Sequence, residues 1–379
     1  MAYNFPPITL LNRTEENMKY SRDELSGMAQ KITFVMEEFD IYAQVTDVRV
    51  TPLSVCFEVV PEPGSSIKNL KRMKADLELH LGTDIEIFNT YNSESSITIV
   101  ALPKERPLVG LRNLLESDEF LNAESPLTVV TGINYHGDVV LADIEQLPHM
   151  LIAGSTGSGK TVFLDDIIMS ILYKASPEDV RIFMVDPKIV DLTYYSGIPH
   201  LLTPVLYKEF EVFGMFGWIE DEMMKRYNRM SEVGCKNIQA YMEKTGEKIP
   251  QILVIIDEYA ELMNDYKKDI EEIVDRLGRL GRSAGVHLII ATQRPTSDII
   301  TGSIKSNLPC RASFAVVDSR ESNAIINKAG AQKLLGSGDM LFSMSSTAGT
   351  EHAQAPFVSE KEIKDVVSYV IKNNPQYCG

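Results

Sequence analysis

Two kinds of hydrophobic pattern succeed one another along the chain, and the change falls near residue 105. Before it, the periods are mixed. Residues 18–40 carry Leu25, Met28, Ile32, Val35 and Met36 at the three-and-four spacing of a helix with one buried face. The stretch AQVTDVRVTPLSVCFEVVPEPGSS follows, with the alternation and β-branched content of two short strands closed by a Pro-Gly-Ser turn. IKNLKRMKADLELHLG predicts a helix ending at Gly82. DIEIFNT and SSITIVALP predict two further strands, turned at YNSE. These pieces make a small α+β domain over residues 1–105, with an N-terminal leader.

From about residue 126 apolar runs alternate with amphipathic stretches. LTVVTGI, HMLIAG, VRIFMVD, QILVIIDE, GVHLIIATQ and ASFAVV read as strands. Several are nearly continuous apolar runs, as expected of parallel strands covered on both faces. KTVFLDDIIMSILYK and KDIEEIVDRLGRLGRSA are among the helices between them, and SEKEIKDVVSYVIKN predicts a closing helix. Strand–helix alternation implies an α/β fold with a mainly parallel sheet and right-handed crossovers over residues 106–379. The chain carries no internal repeat and no low-complexity tract.

Composition narrows this little. A hydrophobic fraction of 44% and a charged fraction of 24% suit a globular chain. No apolar stretch approaches the roughly 18–20 residues of a bilayer span, and the N-terminus lacks the pattern of a signal peptide. A cytoplasmic location is therefore expected. Cys56, Cys235, Cys310 and Cys378 are far apart and form neither a metal motif nor a disulfide framework. The net charge of -16 argues against a surface that coats itself with nucleic acid, yet leaves room for a basic channel inside an acidic shell.

The candidate chemistry lies at the ends of the apolar runs. GSTGSGKT fits G-x-x-x-x-G-K-[ST], with a strand before it and a helix after it. Gly154, Ser155, Thr156, Gly157, Ser158 and Gly159 form a loop whose backbone N–H groups can curl around a polyphosphate at a helix N-terminus. Lys160 should reach the β- and γ-phosphates, and Thr161 should hold Mg2+, so ATP with Mg2+ is the implied cofactor. QILVIIDE ends in Asp257, placed for Mg2+, and Glu258, placed to polarise the attacking water. Taken alone, such a pair could equally cap the next helix. HLIIATQRP ends in Thr292 and Gln293, whose amide could sense the γ-phosphate. Arg276, Arg279 and Arg282 recur at intervals of three, which fits a solvated helix face as well as an arginine that completes a neighbour's site.

With these residues assembled, the chain resembles the FtsK/SpoIIIE family of DNA translocases. The resemblance runs from about residue 26 to the end. It rests on consecutive phrases, among them SPLTVVTGINYHGDVVLADIEQLPHMLIAGSTGSGKT, VRIFMVDPK, GIPHLLTPV, DEMMKRYNRM, ILVIIDEYAELM, GRSAGVHLIIATQRPTSDIITGSIKSNLPCRASFAV and LLGSGDMLF. It implies a RecA-like P-loop ATPase domain preceded by a smaller α domain. It further implies a homo-hexameric ring that hydrolyses ATP and pumps double-stranded DNA through a central channel. Arg282 matches the finger a subunit inserts into its neighbour's site, with Arg279 the runner-up, and Gln293 matches the γ-phosphate sensor. Arg294 and Lys305 match basic channel positions. A third such position falls on Ser319 here, with Arg320 beside it. A few cations inside the pore reconcile an acidic outside with sequence-independent phosphate contacts.

The family's membrane segment and winged-helix module are not found in this sequence. Membrane attachment or recognition of DNA sequence would then fall to a partner protein or to the rest of a longer chain. A conjugation or type VII-like secretion ATPase, moving single-stranded DNA or protein, is the alternative within the same superfamily.

Overall fold

The amphipathic stretch after Ser21 folds as helix α1 (Arg22–Glu38), started by a capping box in which Ser21 and Glu24 each bond the other's backbone N–H. This is seen in a computed structural model that describes residues 3–14, 20–62, 70–89, 96–102, 108–345 and 349–377. Strands β1 (Ala43–Val50) and β2 (Val55–Pro61) come next, then helix α2 (Leu70–Leu81) and strands β3 (Ile85–Asn89) and β4 (Ile97–Ala101). The four strands form an antiparallel sheet in the order β1-β2-β4-β3. Ile32, Val35 and Met36 of α1 and Met73 and Leu77 of α2 close its core against Phe57, Val59 and Ile99. The YNSE turn and Cys378 lie outside the described residues. One compact unit comprises Thr14–Val109 and Ile133–Asp138; the other comprises Met1–Arg13, Gly110–Gly132 and Val139–Gly379.

After its N-terminal segment, the larger unit resumes with two short helices, α3 (Leu111–Leu115) and α4 (Asp118–Leu121), and strands β5 (Thr128–Asn134), β6 (Val139–Asp143) and β7 (His149–Ala153). Helix α5 (Lys160–Lys174), strand β8 (Val180–Val185), helices α6 (Glu209–Val233) and α7 (Ile238–Thr245) and strand β9 (Gln251–Ile256) follow. Then come helix α8 (Tyr259–Ala284), strand β10 (Val286–Thr292), helix α9 (Gly302–Asn307), strand β11 (Cys310–Ser313) and helix α10 (Ser319–Ile326). Strands β12 (Asp339–Ser343) and β13 (Glu351–Gln354) and helix α11 (Glu360–Asn373) complete the chain.

Nine strands make one sheet in the order β6-β5-β13-β12-β11-β7-β10-β9-β8. From β11 to β8 the neighbours are parallel, whereas β12 runs antiparallel to β11 and to β13. Every residue of β7, β9 and β10 is buried, which is why these strands are apolar runs rather than alternations. Helix α5 buries residues on all its faces, from Phe163 to Leu172, as a helix enclosed in the fold must. Helix α8 starts directly after β9 and kinks at Tyr266, earlier than the periodicity of residues 268–284 indicates.

The ASFAVV run departs from its predicted shape. Its strand begins at Cys310 and stops at Ser313. Phe314 N then donates to Ala153 O at 2.8 Å, and Ala315 O accepts from Ser155 N at 2.8 Å. Phe314 and Val316 are buried where the chain folds onto the glycine loop rather than continuing a strand, whereas Val317 is exposed.

Candidate nucleotide site

Four adjacent parallel strands, β7, β10, β9 and β8, deliver their C-terminal ends to one place. The glycine loop follows β7, Gln293 follows β10, Asp257 and Glu258 follow β9, and Lys188 comes three residues after β8. Crevices at the carboxyl ends of such strands are where open α/β sheets bind ligands.

The loop is built tightly. Gly154 has no room for a side chain, since a Cβ would stand 2.6 Å from Phe314 Cβ and 2.7 Å from Ser158 Oγ. Gly159 adopts φ 108°, and a Cβ there would meet Gly338 N at 2.5 Å. Gly338 N donates to Ser158 O at 2.9 Å, so the turn before β12 braces the loop from one side while Ala315 braces it from the other. Thr156 Oγ1 donates to Gln293 Oε1 at 2.9 Å, which brings the expected sensor to the loop. Lys160 and Thr161 open α5, where the helix N-terminus favours an anion.

Lys160 is buried and ion-pairs with Asp257, the last residue before Glu258 turns the chain. Glu258 itself takes a left-handed backbone, φ 60° and ψ 65°, at the start of α8. Its carboxylate is saturated by protein donors. Thr292 Oγ1 bonds Oε1 at 2.8 Å, Lys188 Nζ bonds Oε2 at 3.0 Å, and Gln293 N lies 3.2 Å from both oxygens. Burial would raise its pKa, but these bonds and the Lys188 charge prevail and hold it below the ordinary glutamate value.

More carboxyls surround the lysine. Burial and the charge of Asp257 push Asp191 up to about 6. Burial pushes Asp165 up to about 7, although Tyr195 donates to it at 2.8 Å. The second oxygen of Asp257 and Ser158 Oγ are buried with no hydrogen-bond partner among the described residues. An open carboxylate oxygen beside a helix-starting threonine suits a hydrated divalent cation, and an enclosed lysine at a helix N-terminus behind a glycine loop suits a polyphosphate. The residues therefore fit Mg2+ and a nucleoside triphosphate.

The expected basic residues fall elsewhere. Arg282 lies in the last turn of α8, just before β10 starts, at the opposite edge of the sheet from the glycine loop. Seven residues of β10 separate the two edges by about 20 Å. Arg282 lines a cavity of about 930 Å³ with Asp143, Glu145, Asp179, Lys248 and Gln251. Of the three arginines, Arg276 pairs with Glu220 at 3.2 Å and Arg279 with Asp275 at 2.9 Å. Arg282 is exposed and pairs with no carboxylate among the described residues.

Arg294 is exposed just past β10, its N–H donating to Thr292 Oγ1 at 3.1 Å. Lys305 on α9 reaches Asn327 Oδ1 at 3.2 Å, beyond the end of α10. Arg320 stands 91% exposed on the first turn of α10, paired with Asp318 at 2.7 Å. Lys305 and Arg320 thus flank the two ends of one short helix.

Sequence reasoning passed over Lys188, although the signal was present: a charged residue soon after a buried parallel strand, in VRIFMVDPK. It also passed over the turn at Gly338, where only the close approach of two backbones reveals the need for glycine.

Comparison with known proteins adds a second line. The model of the FtsK/SpoIIIE family matches residues 110–297, and the model of the FtsK alpha domain matches residues 5–103. A DNA translocase FtsK of Clostridium tetani is 40% identical over all of this chain and 51% of its own length. DNA translocase SftA of Bacillus subtilis is 37% identical over 99% of this chain and 40% of its own. The chain thus spans about half the length of the curated relatives it matches. Among solved structures, the pCW3 conjugation coupling protein TcpA, in monomer form with ATPγS, superimposes with a TM-score of 0.63 at 26% identity. That match covers 91% of this chain and 99% of TcpA. The cytoplasmic domain of the Thermomonospora curvata type VII secretion ATPase EccC shares the fold, with a TM-score of 0.60 at 24% identity over 69% of this chain and 34% of EccC.

Proposed function

The chain belongs to the FtsK/SpoIIIE family, and from that premise we propose that it is the motor part of an ATP-driven translocase of double-stranded DNA. One observation carries the reading. The phosphate loop, the Asp257–Glu258 pair and Gln293 meet at the carboxyl ends of three neighbouring strands. In this reading Lys160 exchanges Asp257 for the β- and γ-phosphates, while Thr161 and Asp257 hold Mg2+ directly or through water. The bound Mg2+ would neutralise charge on the phosphates. Glu258 orients and polarises the attacking water, and Gln293 reports on the γ-phosphate.

Arg282 belongs to the next subunit's site. It stands about 20 Å along the sheet from its own loop, farther than its side chain extends, and its guanidinium is uncommitted. That placement favours a closed ring of identical subunits, a homo-hexamer in the family's manner. Arg294, Lys305 and Arg320 supply the backbone contacts in the channel. The relatives named DNA translocase support DNA as the substrate.

The structural likeness to TcpA, a conjugation coupling protein, keeps single-stranded DNA as the second reading. A single measurement separates them: the ATPase rate at low salt with saturating duplex, single strand or neither. We expect duplex of any sequence to raise the rate at least tenfold over single strand, an effect lost as salt rises. Equal rates with and without duplex would end the DNA-motor reading, and preferential stimulation by single strand would move it to the conjugation class.

A further inference from the structure

We infer that Lys188 is an inhibitory positioning residue, a clamp that occupies Glu258 until the site is loaded and must let go before a water can be polarised. The inference rests on the reading of Glu258 as the residue that polarises water. Four contacts carry it. A carboxylate that activates water must offer a lone pair to the water's O–H. In this structure both oxygens are engaged: Oε1 by the Thr292 hydroxyl at 2.8 Å, Oε2 by Lys188 Nζ at 3.0 Å, and both by Gln293 N at 3.2 Å. The Thr292 and Gln293 donors come from β10 and the residue after it, and they fix the plane of the carboxylate. Lys188 is the removable one. Its side chain is 37% exposed where that of Glu258 is 1% exposed, and it hangs from a four-carbon stem.

The root of that stem is unusually firm. The Asp186 carboxylate accepts the N–H groups of Lys188, Ile189, Val190 and Leu192 at 2.9–3.1 Å, so one buried side chain gathers the whole turn after β8. The turn holds Ile189 at φ 57°, a left-handed conformation that a β-branched residue seldom adopts. Strain of this sort, kept by four hydrogen bonds, is a means of aiming the residue beside it. The groups facing Lys188 are acidic: burial would lower its pKa, but Glu258, Asp257 and Glu261 raise it, so the clamp is charged at every working pH.

The site thereby has two lysine–carboxylate pairs, Lys160 with Asp257 and Lys188 with Glu258. The first is exchanged when phosphate binds. The second keeps hydrolysis from running ahead of loading.

The test uses the full chain, DNA-free, with ATP and Mg2+, comparing wild type with Lys188→Met, Lys188→Arg and Glu258→Gln. Lys188→Met should raise the DNA-free kcat several-fold with KM for ATP nearly unchanged. Lys188→Arg, which keeps the pair, should behave as wild type. A kcat that falls or stays level, or a tenfold rise in KM, would overturn the clamp, the last by making Lys188 a nucleotide contact. Should Lys188→Met fold poorly, Lys188→Gln is read by the same criteria. Glu258→Gln separates the two levels of the argument: if it still turns over, the assignment of Glu258 itself fails. If it is inactive while Lys188→Met matches wild type, only the clamp fails.

Discussion

Asp166 shows what a single side chain costs the fold. It lies on α5 with both carboxylate oxygens buried and without a hydrogen-bond partner among the described residues. Burial first, and the neighbouring Asp165 second, drive its pKa well above the ordinary aspartate value. The folded chain therefore holds a proton that the unfolded chain has released above about pH 4, and stability falls as pH rises through that range. Asp166→Asn removes the ionisation and should stabilise the protein by about 1–3 kcal/mol at pH 8, with a gain that shrinks toward pH 4. Buried histidines act with the opposite sign. His149 is lowered to about 3, and His200 and His287 to about 4, each chiefly by burial. Their stabilisation is complete above about pH 6.5 and is lost as pH falls toward those values. In the wild type the two trends oppose each other, so Asp166→Asn should also lose stability more steeply on acidification from pH 6.5 to 4. Urea melts across that range check both statements. A variant no more stable at pH 8 than wild type would show that Asp166 has a partner in solution.

Elements explain why some of this was legible in the sequence and some was not. Strands β7, β9 and β10 are buried throughout, so their composition announces them, and the residues that end them, Gly154, Asp257 and Gln293, could be read off directly. Strands β6, β12 and β13 are only four or five residues long; β13 is mostly polar, and the VVLA and MLF runs of β6 and β12 are too short to fix a strand by themselves. The arginines of α8 stayed ambiguous because spacing cannot report ion pairs; Glu220 and Asp275 claim two and leave Arg282. Gly159 and Gly157 look alike in the motif but differ in place. Both have positive φ, 108° and 78°, yet only at Gly159 would a Cβ run into backbone, at Gly338 N and Cα. Gly157→Ala carries backbone strain alone, about 1 kcal/mol. Gly159→Ala adds a clash between two fixed chains, and should cost at least twice as much and weaken ATP binding by more than tenfold. Equal melting losses for the two variants would mean that the turn at Gly338 yields freely.

At the scale of the whole molecule, the sheet holds the phosphate loop and the proposed finger at opposite edges. The carboxyl ends of β7, β10 and β9 carry the loop, Asp257, Glu258 and Gln293, while the opposite edge carries Arg282 beside an open cavity. On the proposed reading, an arginine about 20 Å from its own phosphate loop serves another copy, so damage to the two halves should complement. Arg282→Ala retains an intact loop but offers no finger. Glu258→Gln offers a finger but cannot polarise water in its own site. Each alone should lose at least 99% of duplex-stimulated ATPase activity, a factor of order 10² or more for an arginine finger or a general base. Mixed before assembly in equal amounts, they form some junctions where an Arg282→Ala subunit's loop meets a Glu258→Gln subunit's arginine. Those junctions are complete, and activity should return to well above the sum of the separate variants, highest near an equal ratio. If the variants co-assemble, as a tag on one retrieving the other would establish, and no activity returns, then Arg282 does not serve its neighbour. Arg279→Ala, which removes a guanidinium already held by Asp275, should keep most of the wild-type rate by itself, so mixing it with Glu258→Gln should give no gain beyond its own activity.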